Sequence, residues 1–122
     1  MLALAVYRCS SAWPRAEQFG LGDQVRRAAV SIGANIAEGC GRNGDGELRR
    51  FINIALGSAN ELHFLLGFAT DLGLLEASVG NRLQADALAV CRMLSGLHSA
   101  TRIATNKRTA PGEAGRSPNE LI

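Results

Sequence analysis

The stretch that decides the fold runs from Asp23 to Arg42 and reads DQVRRAAVSIGANIAEGCGR. Its apolar residues recur at steps of three and four, which places them on one face of an α-helix. Asp23 is a suitable N-cap residue, and the glycines at 39 and 41 are typical of a helix end. The stretch therefore predicts an amphipathic helix from about Asp23 to Glu38, with an apolar face of Val25, Ala28, Ala29, Ile32 and Ile36.

Three more helices are predicted around this one. The first covers about Leu2–Ala12 and ends before Trp13-Pro14, because a proline disfavours helical geometry at the residue before it. The third covers about Glu47–Leu72 and the fourth about Glu76–Thr101, each with an apolar residue at every third or fourth position. Short links between long amphipathic helices are typical of antiparallel neighbours. The predicted fold is therefore all-α, an up-down antiparallel four-helix bundle over residues 1–105.

The composition restricts the class of protein. A chain of 122 residues with 47% hydrophobic residues is expected to form one packed domain. The net charge of +2 is far below that of a dedicated nucleic-acid-binding domain, so a basic site must be local or be built by oligomerisation. Three scattered cysteines and the lack of an apolar run of about 20 residues predict a cytoplasmic protein without a membrane partner. Residues 106–122, rich in proline, glycine and charge, predict a disordered tail.

Charged residues of the second and third helices match in one antiparallel register. A hairpin that turns near Gly44 places residues opposite each other when their numbers sum to about 88. This register predicts a structural ion-pair seam, with Arg27 opposite Glu61 and Glu38 opposite Arg50. The alternative is that Arg27 and Arg50 point outward as phosphate ligands.

Small residues lie between these two predicted pairs. In the same register Ser31 falls opposite Gly57, which would allow the two backbones to approach closely. Gly33, in the middle of its helix, indicates a bend or a close contact, because glycine is unfavourable in a helix interior. Ser31, Gly33 and Gly57 are therefore the predicted residues of close helix packing.

Arginines supply the candidate nucleic-acid-binding residues. Arg42, Arg49 and Arg50 are expected at one end of the bundle, where the N-terminus of the third helix also favours an anion. Arg26 is the neighbour of Arg27 that the ion-pair seam leaves unused. Few aromatic residues accompany them, so the expected mode is contact with the phosphate backbone of RNA or DNA. A solvated charged end is the alternative.

No pattern in the sequence indicates catalysis. The segment GCGRNG at residues 39–44 matches the spacing of a dinucleotide-binding loop, but it follows a predicted helix rather than a strand. If the third and fourth helices turn near Leu74, His98 lies opposite about residue 50 and away from His63, so the two histidines do not form a metal site. Cys40 would sit at a helix C-terminus beside Glu38, where a thiolate is disfavoured. The prediction is a protein that is not an enzyme and has no cofactor and no bound metal.

Two segments carry a family resemblance. FGLGDQVRRAAVSIGANIAEGCGR, residues 19–42, is followed by ELRRFINIALGSANEL, residues 47–62. Together they closely resemble the four-helix-bundle family of proteins encoded in 23S rRNA intervening sequences, also called the S23 ribosomal protein family. The accessory variability protein of diversity-generating retroelements is related to it. The resemblance implies a four-helix bundle that assembles into a ring-like homopentamer. In the retroelement branch it also implies a basic surface that engages nucleic acid and a reverse transcriptase.

Two functions of different classes remain. The first is a non-enzymatic homo-oligomer that binds the RNA or DNA backbone through arginines repeated around a ring. The second is a protein-interaction scaffold or accessory subunit, with a partner encoded by a neighbouring gene and no direct contact with nucleic acid. The residues alone do not separate the two; the family resemblance favours the first.

Overall fold

The structure is a computed structural model that describes the backbone of residues 1–109 and the side chains of residues 1–101. Residues 1–109 form five helices: α1 (Leu2–Ser11), α2 (Arg15–Gln18), α3 (Leu21–Cys40), α4 (Asp45–Asp71) and α5 (Ala77–Thr109). The four long helices are the four predicted ones, and residues 1–109 contain no strand. The prediction of an all-α fold is therefore confirmed, with the single turn of α2 as an addition.

The helices follow one another as antiparallel neighbours. Helix α4 packs against α3 on one side and α5 on the other, while α1 packs on α3 and also contacts α5. The core lies among these four helices and is mainly aliphatic. Its fully buried large side chains include Ile52, Leu62, Leu66, Leu83, Leu94, Val6 and Val25.

Two glycines allow the chain to reverse at either end of α4. Gly44 precedes the helix with a φ of 96°, and Gly73 follows it with a φ of 81°. Both values lie in the left-handed region, where a residue with a Cβ atom is strained. The backbone N–H of Gly73 donates to the carbonyl of Thr70, and that of Leu74 donates to the carbonyl of Ala69. Such bonds satisfy the last carbonyls of a helix, so the α4–α5 turn also terminates α4.

The predicted register of α3 and α4 is nearly correct. The hydroxyls of Ser31 and Ser58 lie 2.8 Å apart and form a hydrogen bond between the two helices. Their numbers sum to 89, one more than the sequence predicted. Ser31 therefore lies in the helix contact, as expected, but its partner is Ser58 rather than Gly57.

The predicted ion-pair seam is wrong. Arg27 pairs with Asp23 at 2.9 Å, Arg42 with Glu38 at 2.6 Å and Arg50 with Glu47 at 3.2 Å. Each pair joins side chains of one helix or of its end, three or four residues apart, and none joins α3 to α4. Glu61 is exposed and makes no ion pair within the described residues. The reason is that Arg27, Glu38 and Glu61 all lie on outer faces, where a charged side chain reaches its own helix more easily than the neighbouring one.

Close packing between helices occurs at glycines other than the predicted ones. Gly33 and Gly57 are exposed, and a Cβ added to either would meet nothing within 4 Å. At Gly39 an added Cβ would lie 2.9 Å from the Cβ of Phe51, and at Gly80 it would clash with the side chain of Thr70. Gly39 brings α3 close to α4 and Gly80 brings α5 close to α4, so the prediction for Gly33 and Gly57 is wrong within the protomer.

Helix α5 is longer than predicted. It continues past Thr101 to Thr109, so the first residues of the predicted disordered tail are helical. The remainder of that tail, residues 110–122, lies outside the described residues.

Candidate nucleic-acid interface

The arginine cluster comprises Arg42, Arg49 and Arg50, and it lies at the start of α4. Arg42 is in the turn that joins α3 to α4, and the other two follow in the first turns of α4. The ring of Phe51 is almost fully buried beneath them. The Cζ atom of Arg50 lies 4.4 Å from its centroid, and that of Arg42 lies 5.4 Å from it. Two guanidinium groups are thus held by one aromatic ring, an attraction between a cation and the electrons of the ring face.

Two of these arginines have carboxylate partners. Glu38 accepts a hydrogen bond from Arg42, and Glu47 accepts one from Arg50. All four side chains are about half exposed, with relative accessibilities between 45% and 56%. Ion pairs at such positions contribute little to stability, because water screens them and ordering long side chains costs entropy. A phosphate group can therefore replace either carboxylate at a small cost in folding free energy.

Arg49 differs from its two neighbours. It is half-buried, it has no ion pair within the described residues, and its Nε–H is covered without a hydrogen-bond acceptor. Arg49 and Arg50 line a pocket of about 230 Å³ between α4 and α5, together with Gly46, Asn53 and His98. The predicted position of His98, opposite about residue 50, is thereby confirmed. The Nε–H is covered by protein, so only the part of Arg49 that lines the pocket is open to a ligand.

Among the side chains of residues 1–101, the charge of this end is balanced rather than strongly positive. Asp45 and Glu47 lie in the first turn of α4, where carboxylates interact favourably with the helix dipole. With Glu38 they match the three arginines of the cluster in number. Contact with nucleic acid here would consequently be local and would depend on Arg49, which forms no ion pair with the side chains of residues 1–101.

Arg26 does not belong to this interface, and the prediction that it is the freer arginine is wrong. Its guanidinium donates to the hydroxyl of Ser10 at 3.0 Å, to Gln18 Oε1 at 3.2 Å and to the Gln18 carbonyl at 2.7 Å. Its Cζ atom also lies 6.0 Å from the ring centroid of Tyr7. Arg26 therefore connects α1, α2 and α3. The sequence did not reveal this role, because no pattern predicts an ordered turn between Trp13 and the second helix.

Phe51, Asn53 and His98 are the site residues that the sequence did not single out. Phe51 and Asn53 closely follow the Arg49-Arg50 pair, and the sequence raises His98 only as a candidate metal ligand. For His98, the predicted register of α4 and α5 was the feature that could have identified it, since that register places His98 opposite about residue 50.

Two apolar surfaces lie away from the arginine cluster. The apolar groove, about 380 Å³, runs between α1, α3 and α5 and is lined by Met1, Leu2, Ala3, Ala29, Val30, Ile32, Gly33, Ile36, Val90 and Met93. On α4, the rings of Phe64 and Phe68 stack with centroids 6.2 Å apart, and Phe64 is 67% exposed. Exposed apolar surface of this kind is typical of contacts with other protein chains.

Other kinds of site find little support in the described part of the chain. Within it, no three His, Cys, Asp or Glu side chains are grouped so that they could hold a metal ion. Burial raises the pKa of the Cys91 thiol, which keeps it protonated and poorly nucleophilic at neutral pH. Among residues 1–109, no helix combines the length and the apolar character that crossing a bilayer requires.

Comparison with known proteins agrees with this fold. A solved structure from Bacteroides thetaiotaomicron VPI-5482, a protein of unknown function from the S23 ribosomal protein family, superposes with a TM-score of 0.70. The two chains are 22% identical over 79% of this chain and 87% of the other, a likeness that shows the fold alone. No functionally curated protein matches this chain. The family model for the 23S rRNA-intervening sequence protein matches residues 1–96, and the chain therefore belongs to that family.

Proposed function

We propose that this chain is a non-enzymatic, cytoplasmic protomer of a ring-like homo-oligomer that contacts the RNA or DNA backbone through its arginine cluster. The observation that carries the proposal is Arg49, a half-buried cation that lines the polar pocket beside Arg50 and has no carboxylate partner in the described residues. Arg42 and Arg50 flank it on the ring of Phe51. Their exposed ion pairs are weak enough for phosphate oxygens to replace the carboxylates.

Assembly supports this function because one protomer offers few phosphate contacts. The net charge is only +2, and three carboxylates lie among the three arginines of the cluster. Several weak contacts on a rigid ring act together when one strand reaches more than one of them, and avidity then exceeds the affinity of a single copy. The ring-like homopentamer that the family resemblance implies would provide this repetition.

The apolar groove is the surface we propose for contact between copies. Within the described part of the chain its lining contains no charged side chain, and Val30 and Met93 expose apolar area in it. The groove of one copy and the exposed apolar side chains of the next are matched in chemistry, as a contact between identical chains requires.

The nucleic-acid proposal is tested by changing Arg42, Arg49 and Arg50 to Ala together and measuring the binding of labelled single-stranded RNA and DNA. Removing three phosphate ligands from every protomer is expected to abolish binding at physiological salt, while the oligomer mass stays the same. The matched control is Arg27→Ala, since its side chain is 80% exposed and, among residues 1–101, pairs with Asp23 alone, at the far end of α3. Unchanged binding by the triple variant would disprove the proposal.

The Phe64–Phe68 pair favours a second candidate function, that of a protein-interaction scaffold. Two exposed stacked rings resemble the aromatic anchors that dominate protein interfaces, and they lie on α4 away from its arginine end. For this function, Phe64→Ala would abolish co-purification of a partner encoded by a neighbouring gene, and the triple arginine variant would retain it. The opposite pattern favours nucleic acid.

A further inference from the structure

The pocket between α4 and α5 has a lining of one chemical kind. Within the described residues it is lined by Arg49, Arg50, Asn53, His98 and Gly46. Among the side chains of residues 1–101, no carboxylate and no aliphatic residue belongs to this lining. Guanidinium and amide groups offer several N–H donors, and an imidazole adds one or two more. A lining of donors without acid groups disfavours a metal cation and an apolar ligand, and it suits an oxyanion.

The two helices present these donors from opposite sides. Asn53 follows Arg49 by one helical turn, which places the two side chains on the same face of α4. His98 comes from α5, so a ligand in the pocket would touch both helices. Gly46 lies at the start of α4, and the space beside it is open, because a Cβ added there would meet nothing within 4 Å.

The two arginines of the pocket differ in whether a carboxylate neutralises them. Arg50 already donates to Glu47 at 3.2 Å, whereas Arg49 has no such partner within residues 1–101. A phosphate placed here would receive hydrogen bonds from a guanidinium that has no ion pair among these side chains. Bonds of this charge-assisted kind are about twice as strong as those between neutral groups.

We propose that this pocket is a phosphate-binding site, in which Arg49 and Arg50 hold the phosphate oxygens and Asn53 and His98 orient the group. The proposal rests on the proposed function and deepens it by assigning one phosphate group to a defined binding site. The phosphate belongs either to the terminal monoester of a nucleic-acid strand or to a diester within the strand. These two sources share the chemistry that the pocket recognises and differ in charge.

Binding is first tested without nucleic acid, by titrating inorganic phosphate into the full chain and recording amide NMR spectra at constant ionic strength. Saturable shifts confined to residues 46–53 and the neighbourhood of His98 are expected. Arg49→Gln should weaken phosphate binding by about tenfold, which corresponds to the loss of one hydrogen bond to a charged group. Arg27→Gln is the control and should bind as the unchanged protein does. The absence of saturable shifts, or equal weakening by both substitutions, overturns the proposal.

A second variant excludes a folding artefact. His98→Ala removes a donor from α5 without touching the arginine cluster, and its thermal midpoint is measured beside that of Arg49→Gln. Weaker phosphate binding with an unchanged midpoint supports the site. Unchanged binding by this variant shows that α5 does not contribute and overturns the proposed pocket.

The source of the phosphate is then read from two labelled strands of equal sequence, one ending in a 5′-phosphate and one in a 5′-hydroxyl. Tighter binding of the phosphorylated strand, lost in His98→Ala, assigns the terminal monoester. Equal binding of both strands, weakened in His98→Ala, assigns an internal diester.

If both strands bind but neither responds to His98→Ala or Asn53→Ala, the pocket is overturned while the proposed function stands. If neither strand binds at all, the proposed function fails, and the phosphate titration alone decides the pocket.

Discussion

At the scale of single residues, two adjacent arginines have opposite roles. Arg26 makes three hydrogen bonds that tie α1 and α2 to α3, whereas the Arg27 side chain is 80% exposed and forms an ion pair with Asp23 of its own helix. The difference comes from the helix period, because neighbours on a helix point about 100° apart. Arg26 faces the junction of the first three helices, and Arg27 faces water.

Replacing these two arginines should therefore have unequal effects on stability. Arg26→Ala is expected to lower the free energy of unfolding by about 2–3 kcal/mol, since it leaves Ser10 and Gln18 without a charged donor. Arg27→Ala should change it by less than about 0.5 kcal/mol, as is typical of exposed helical ion pairs. Urea denaturation followed by circular dichroism measures both. Equal losses would contradict the role given to Arg26.

At the scale of helices, the close approach of α3 to α4 depends on a glycine, which has no side chain to keep the two backbones apart. Gly39 lets α3 approach the Cβ of Phe51, the residue whose ring holds Arg42 and Arg50. The packing of α3 on α4 and the placement of the arginine cluster thus depend on the same contact. Gly33, in the middle of the same helix, faces outward and meets nothing.

The two glycines of α3 give a matched pair of substitutions. Gly39→Ala should destabilise the protein by about 1–3 kcal/mol, because the new methyl group would overlap Phe51. Gly33→Ala should stabilise the protomer by about 0.5–1 kcal/mol, because alanine is the better helix former and the site is open. Thermal unfolding of both variants compares them. If Gly39→Ala were as stable as Gly33→Ala, the close approach would be wrong.

The sequence was informative about helices and register but not about surface charges. Apolar periodicity predicted the four long helices. The turn at Gly44 predicted the register of α3 and α4 to within one residue, since Ser31 pairs with Ser58 rather than lying opposite Gly57. Both the helices and their register are constrained strongly by the burial of apolar side chains. The ion pairs of Arg27, Glu38 and Arg50 were mispredicted, since several carboxylates lie within reach of each arginine and small energies decide among them. The role of Arg26 depended on α2, a single turn with no periodic pattern to reveal it.

At the scale of the whole molecule, the two ends and the sides of the bundle differ. The arginine cluster and its pocket occupy the end where α3 passes into α4, and the apolar groove lies along α1, α3 and α5. The proposed contacts with nucleic acid at one end and the proposed contacts between copies along the side use different surfaces, so both can form at the same time. An assembly formed through the groove would leave the arginine clusters exposed and repeated.

The assembly itself makes a separate prediction. Met93 is 62% exposed and lines the groove, so Met93→Glu should place a charge in the contact between copies. Light scattering should show the mass of an oligomer for the unchanged protein and a mass close to 12.9 kDa for the variant. Phe64→Glu, which alters an exposed ring outside the groove, should leave the oligomer intact. A monomeric unchanged protein would contradict the assembly.

The central claim, that the arginine cluster binds the nucleic-acid backbone, is tested most directly by the salt dependence of binding. Fluorescence anisotropy with a labelled single-stranded RNA gives the binding constant over a series of salt concentrations. We expect a steep decline for the unchanged protein. For the variant with Arg42, Arg49 and Arg50 changed to Ala, the expected slope is smaller by about 0.7 for each phosphate group that the variant no longer binds. The same slope in both proteins, or no salt-dependent binding by the assembled unchanged protein, would contradict the claim.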